Sequence, residues 1–107
     1  MYKNIAKETK LNLKDLISYQ QGQVVSKTLV QNDKISMTLF SFDKGEEIST
    51  HAASGDAMVT ILEGKGKFTV GDNVFYLSEG ETLIMPKDIP HAVCAIERFK
   101  MQLIVSY

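Results

Sequence analysis

From Ile35 to the C-terminus, short apolar stretches alternate with turn signals, one every eight to twelve residues or so. That rhythm confines the chain to an all-β sandwich or barrel. In "ISMTLFSF", Ile35, Met37 and Leu39 fall on one face and Ser36, Thr38 and Phe40 on the other. "DKGEEI" is a loop around Gly45, and "AMVTILEG" reads as a strand closed by Gly64. "GKFTVGDNVFYL" is a hairpin whose Gly-Asp-Asn turn tolerates positive φ. "SEGE" is a tight turn, "TLIMP" a strand stopped by Pro86, and "HAVCAIERFKMQLIVSY" a last hairpin turning at Glu97-Arg98. Parity puts Phe99, Met101, Leu103 and Val105 on one face, expected to be the inside. "TLIM" and "MQLIV" are nearly free of polar residues. Such strands are expected to be buried on both faces, as when a second subunit packs outside the barrel.

The first third is less regular. Leu13, Leu16 and Ile17 have helical spacing and Asn12 is placed to cap them, so one short helix or helical turn is expected. "GQVVSKTLVQ" reads as a strand and Asn32-Asp33 as the turn after it. No linker or low-complexity tract interrupts the 107 residues, so residues 1–107 are expected to form one domain. The net charge is −1 with no basic stripe, which argues against nucleic-acid binding. No apolar run approaches the ~20 residues of a membrane span, and the N-terminus lacks the apolar core of a secretory signal. The single cysteine, Cys94, is expected to pack as a small hydrophobe. A cytoplasmic protein is the expectation.

The chain holds only two histidines. His51 precedes the strand "AMVTILEG", and His91 follows "TLIMPKDIP". Gly45, His51 and Gly64 keep one spacing, and Gly80, Pro86 and His91 another, with the Gly71 hairpin between them. This pattern resembles the two motifs of the cupin superfamily over about residues 34–105. The resemblance implies a small antiparallel jelly-roll β-barrel with a short N-terminal helical segment added. It also implies a homodimer, and a metal held by three histidines and a glutamate. Here Ala53 stands where the second histidine is expected and Ala57 where the glutamate is. Asp88 replaces the usual glycine of the second motif, and Ala95 its asparagine.

His51 and His91 are therefore the metal-ligand candidates, with Asp56 as a third only if a bulge at Gly55 re-aims it. Met37, Met101 and Cys94 are softer donors that would favour copper(I) or zinc. Two imidazoles would hold one transition ion (Zn, Ni, Fe, Mn or Cu) weakly or not at all. Several readings stay open. One is a small-molecule pocket in the barrel, lined by His51, His91, Ala53, Ala57, Met37 and Met101. A second is a metal-dependent dioxygenase, isomerase or decarboxylase. A third is acid–base catalysis by the two imidazoles, and a fourth a purely structural dimerisation module.

Overall fold

The computed structural model describes residues 1–107. Seven strands follow one turn of 3-10 helix at Leu13–Leu16. They are β1 (Val24–Gln31), β2 (Ile35–Phe42), β3 (Glu47–His51), β4 (Asp56–Val70), β5 (Asn73–Ser78), β6 (Thr82–Met85) and β7 (His91–Ser106). All pairings are antiparallel, in the order β1-β2-β7-β4-β5, with β3 added to β7 and β6 to β4. No helix is long and apolar enough to cross a membrane.

The two long strands, β4 and β7, make this a barrel because each belongs to two sheets. Phe99–Ser106 of β7 pairs with β2, whereas His91–Cys94 pairs with β3. Likewise β4 pairs with β6 through Ala57–Thr60 and with β5 through Lys65–Val70. Both strands bend where their shared register slips. It jumps from Gly64–Phe99 to Gly66–Ala95, leaving one residue of β4 against three of β7. Two sequence expectations are corrected at that point. Gly64 does not close its strand, and Glu97-Arg98 is not a turn. Ile96, Glu97 and Arg98 are the exposed residues of a bulge inside one continuous strand. A polar pair such as Glu97-Arg98 suits an exposed bulge as well as a turn, so the sequence alone does not separate them.

The barrel is filled by the alternate residues of its strands. Phe42, Phe68, Phe99, Val59, Ile61 and Met101 are almost completely buried in one cluster. Phe99 stacks on Phe42 with ring centres 4.5 Å apart and meets Phe68 edge-on at 6.0 Å. The expected inner face of the last strand is borne out, since Phe99, Met101 and Val105 are buried and Leu103 packs against them. Burial on both faces of "TLIM" is not seen in the single chain, because Ile84 is 51% exposed.

Outside the barrel the N-terminal segment forms a strap. Ile17 packs with Leu29 and Leu39 in a second cluster, and Met37 lies against it. Met37 thus faces away from the barrel interior. Its parity is that of Leu39, whereas Phe40 and Phe42 point inward. Lysines pin the strap by donating to its backbone: Lys100 Nζ to the Lys14 carbonyl (2.6 Å) and Lys27 Nζ to the Leu16 carbonyl. The Ser41 hydroxyl donates to the Ser18 carbonyl (2.8 Å). Tyr19 donates its hydroxyl to Glu63 Oε2 (2.6 Å), and its ring lies 5.0 Å from Lys100 Nζ and 5.2 Å from the Arg98 guanidinium carbon. Burial, then the Glu63 carboxylate, push the Tyr19 phenol above its ordinary pKa. The expected Asn12 cap is not made by its side chain; the Asn12 carbonyl accepts from Asp15 N–H instead.

Asp43 ties the strap's exit to β7. Its carboxylate accepts from Gly22 N–H, from Arg98 Nε (2.8 Å) and from Lys44 N–H. Those contacts, the Gly22 bond first, hold its pKa down at about 2. The unfolded chain then binds a proton more readily than the folded one, so Asp43 stabilises the fold above pH ~4. That contribution should disappear as the pH falls from ~4 towards 2. The urea midpoint of Asp43→Asn should change less than that of the wild type across this window, and parallel curves would refute the assignment.

Candidate functional site

His51 is the last residue of β3 and His91 the first of β7, and they are direct cross-strand partners. The β3–β7 register slips between Ile48 and His51, and this irregularity sets the His51 side chain onto His91. The loop before His91 is held by Ile89 N–H donating to the Pro86 carbonyl (3.2 Å) and by Gly71 N–H donating to the Pro90 carbonyl (2.8 Å). Asp88 N–H donates to the Ala53 carbonyl (3.0 Å), which ties this loop to the one after β3. Asp88 has φ +65°, which explains how it can stand where a glycine is usual: aspartate is one of the few L-residues that tolerate the left-handed region.

The rings meet edge to face with centres 4.3 Å apart and Nε2–Nε2 at 3.2 Å. Residues forty positions apart are thus brought into contact, as the spacing of the motifs implied. Each Nδ1 faces a backbone carbonyl: Ser49 for His51 (3.0 Å) and Ile89 for His91 (3.3 Å). A carbonyl only accepts, so these contacts favour the tautomer with the proton on Nδ1, which leaves both Nε2 lone pairs pointing at the same place. In that tautomer two acceptors face each other at 3.2 Å, an arrangement that a shared proton or a metal ion satisfies. His91 is 4% exposed while His51 lies on the surface above it. Burial, then the neighbouring His51, lower the His91 pKa, so the ring is neutral at pH 7. The pair therefore offers an electron-pair acceptor two nitrogens from one open side.

The other expected site residues are dispersed. Ala57 and Met101 are sealed in the barrel core, and Met37 packs outside it. Ala53 is half-buried beside the pair, and its backbone carbonyl is occupied by Asp88. The Asp56 carboxylate accepts from Lys87 N–H (2.8 Å), and no group of three His, Cys, Asp or Glu residues is placed to share an ion. Gly55 supplies no freedom for re-aiming, because a Cβ there would lie 2.3 Å from the Ser106 carbonyl oxygen. The four-ligand centre implied by the family's motif therefore does not fit these residues. The two imidazole nitrogens alone do fit a metal: a tetrahedral ion at ~2.05 Å from each would need them roughly 3.3 Å apart. The pocket expected in the barrel is filled by the phenylalanines. The two cavities, about 350 and 250 Å³, lie elsewhere: one outside the β3-β7-β4 sheet, the other beside the 3-10 turn. Sequence reasoning pointed to neither.

The comparisons agree with this architecture. The family model described as a cupin domain matches residues 38–107. A conserved protein of unknown function from Streptococcus pyogenes is 43% identical, with TM-score 0.96, over 98% of this chain and 92% of its own. A cupin superfamily protein from Desulfitobacterium hafniense is 35% identical, with TM-score 0.95, over 99% of this chain and 97% of its own. A cupin 2 conserved barrel domain protein from Leptotrichia buccalis is 45% identical with TM-score 0.88; the match covers 91% of this chain but 47% of that one. No protein of curated function matches the sequence. With the two motifs in register, the barrel built as described and most of the chain matched, this protein belongs to the cupin superfamily.

Proposed function

We propose that this cupin binds a small molecule at the barrel rim through a transition-metal ion held by His51 and His91. The observation that carries the reading is the convergence of two Nε2 atoms at 3.2 Å with both Nδ1 atoms already engaged by backbone carbonyls. A proton is a poorer guest there than usual, because burial opposes charge on His91. Imidazole nitrogens suit zinc, nickel and copper, and two protein ligands leave the remaining positions to water or to an oxygen of the ligand. When bound, such an ion supplies Lewis-acid polarisation. The protein's part is to disfavour charge on His91 by burial, hold both rings against the Ser49 and Ile89 carbonyls, and leave the His51 side open.

Titration calorimetry of untagged protein with Zn²⁺ or Ni²⁺ tests this. One site per chain is expected, weakened more than tenfold, about 1.4 kcal/mol, by either His51→Ala or His91→Ala. Equal affinity in wild type and both variants would refute the site.

We also propose that the barrel works as a homodimer. Register aligns Ile84, Met58 and Ile104 as one apolar row across three strands on the outer face, continued by Met37, which the strap covers. A monomer rarely leaves such a row uncovered. Sedimentation of the wild type at micromolar concentration should give twice the 12.0 kDa chain mass. Ile84→Glu, a change at a half-exposed position, should shift it to the monomer. A monomeric wild type would refute the assembly.

A further inference from the structure

The larger cavity, about 350 Å³, is a trough on the outer face of the β3-β7-β4 sheet, away from the imidazoles. Its floor is low because the middle strand carries small residues there, Ala92 and Cys94, while its walls come from β3 and β4. Glu47 and Lys67 stand on opposite walls, since each is the cross-strand partner of Cys94. Two strand spacings separate their backbones, about 10 Å. The only ion pairs of the molecule are Arg98–Asp43 and Lys100–Glu63. The carboxylate of Glu47 and the ammonium of half-buried Lys67 therefore face one trough without neutralising each other or anything else. The hydroxyl residues Ser49, Thr50 and Thr69 complete the lining.

We propose that this trough is a second binding site, for a short zwitterion of dipeptide size. Its carboxylate is taken by Lys67, its ammonium by Glu47, and its amide by the flanking hydroxyls. A zwitterion meets both charges at once, whereas a neutral ligand meets neither and a singly charged one only one. The volume lies at the lower end of the range for small-molecule sites. The β3 irregularity that shapes the trough wall at Ser49 and Thr50 also positions His51, because the Ser49 carbonyl accepts from His51 Nδ1–H (3.0 Å). Occupancy of the trough is thus reported at the imidazole pair through one peptide unit. This inference does not rest on metal binding.

The test is an NMR titration of the full chain with L-alanyl-L-alanine, beside its N-acetyl and C-amide forms. Amide shifts are expected at Lys67, Ala92 and Cys94, with a smaller shift of the His51 ring protons. The affinity should fall at least tenfold for either blocked peptide. Lys67→Gln should remove the preference for a free carboxylate, and Glu47→Gln that for a free ammonium. Ala92→Leu fills the trough from a half-exposed position and should abolish the shifts while leaving the rest of the spectrum folded. No shift at 10 mM peptide, on the order of the weakest useful affinity, would overturn the proposal. So would shifts that persist unchanged in Ala92→Leu, or equal binding of all three peptides. A zinc titration of the same sample reads the imidazole pair separately, so failure at one site is distinguishable from failure at the other.

Discussion

Gly64→Ala should leave little or no folded protein. A Cβ at this position would lie 2.0 Å from the Arg98 carbonyl oxygen and 2.8 Å from Phe99 Cα. Neither can retreat, because both belong to the β7 backbone at the bend where two sheets exchange strands. The residue also sits at φ +79°, in the region L-residues avoid. Backbone overlap and conformational strain together should cost about 4 kcal/mol or more, most of the stability of a domain this size. Gly80→Ala isolates the two effects. Its φ is +84° but nothing lies within 4 Å of the added methyl, so only the conformational cost of about 1–2 kcal/mol applies. Thermal unfolding of both variants checks the argument. Comparable melting temperatures would mean that β4 and β7 can separate at the bend, and the barrel would then not depend on that approach.

Much of this architecture is legible in the sequence because strands announce themselves locally. Alternation in Phe99–Val105 assigned the inward face correctly, since that face must be apolar. In "ISMTLFSF" both faces carry apolar residues, so alternation did not reveal that Phe40 and Phe42 point into the barrel while Met37 and Leu39 pack under the strap. The Gly71 turn is local too, with φ +57° at a residue that permits it. The continuity of β7 through Glu97-Arg98 was not legible. What makes that segment a bulge is its opposite number at Gly64–Gly66, some thirty residues away, and not its own composition. The site divides in the same way. His51 and His91 were named by motif spacing, and their contact follows from the barrel. The tautomers, the lowered His91 pKa and the loss of Asp56 to Lys87 depend on backbone carbonyls and amides that a sequence does not display. The trough was invisible because Ala92 and Cys94 look like filler until their neighbours on β3 and β4 are known to be larger.

The strap and the imidazole pair lie at different parts of the barrel. The strap's clamps, Lys100 on the Lys14 carbonyl and Tyr19 on Glu63, sit where β7 pairs with β2 and outside the main core. The imidazole pair sits at the other end of β7, where partners are few and His51 is exposed. Rigid filling at one end thus lets the other be open, the division the proposed binding role of His51 and His91 requires.

Phe99→Ala should show how completely the interior is filled. The ring is fully buried, stacked on Phe42 and edge-on to Phe68, in the space where a barrel ligand would otherwise sit. Truncation removes both aromatic contacts and leaves a void walled by side chains that other strands fix in place. The expected loss is about 3–5 kcal/mol, read as a lower urea midpoint at unchanged slope. Phe75→Ala, at an edge-strand position 38% exposed, should cost far less, under about 1.5 kcal/mol. Because the new void is lined by Phe, Val, Ile and Met side chains, it should stay dry and accept an apolar guest. Benzene at saturation should therefore raise the melting temperature of Phe99→Ala and leave the wild type unmoved. If benzene stabilises the wild type equally, a cavity already exists inside the barrel, and the binding site belongs there and not at the rim beside His51.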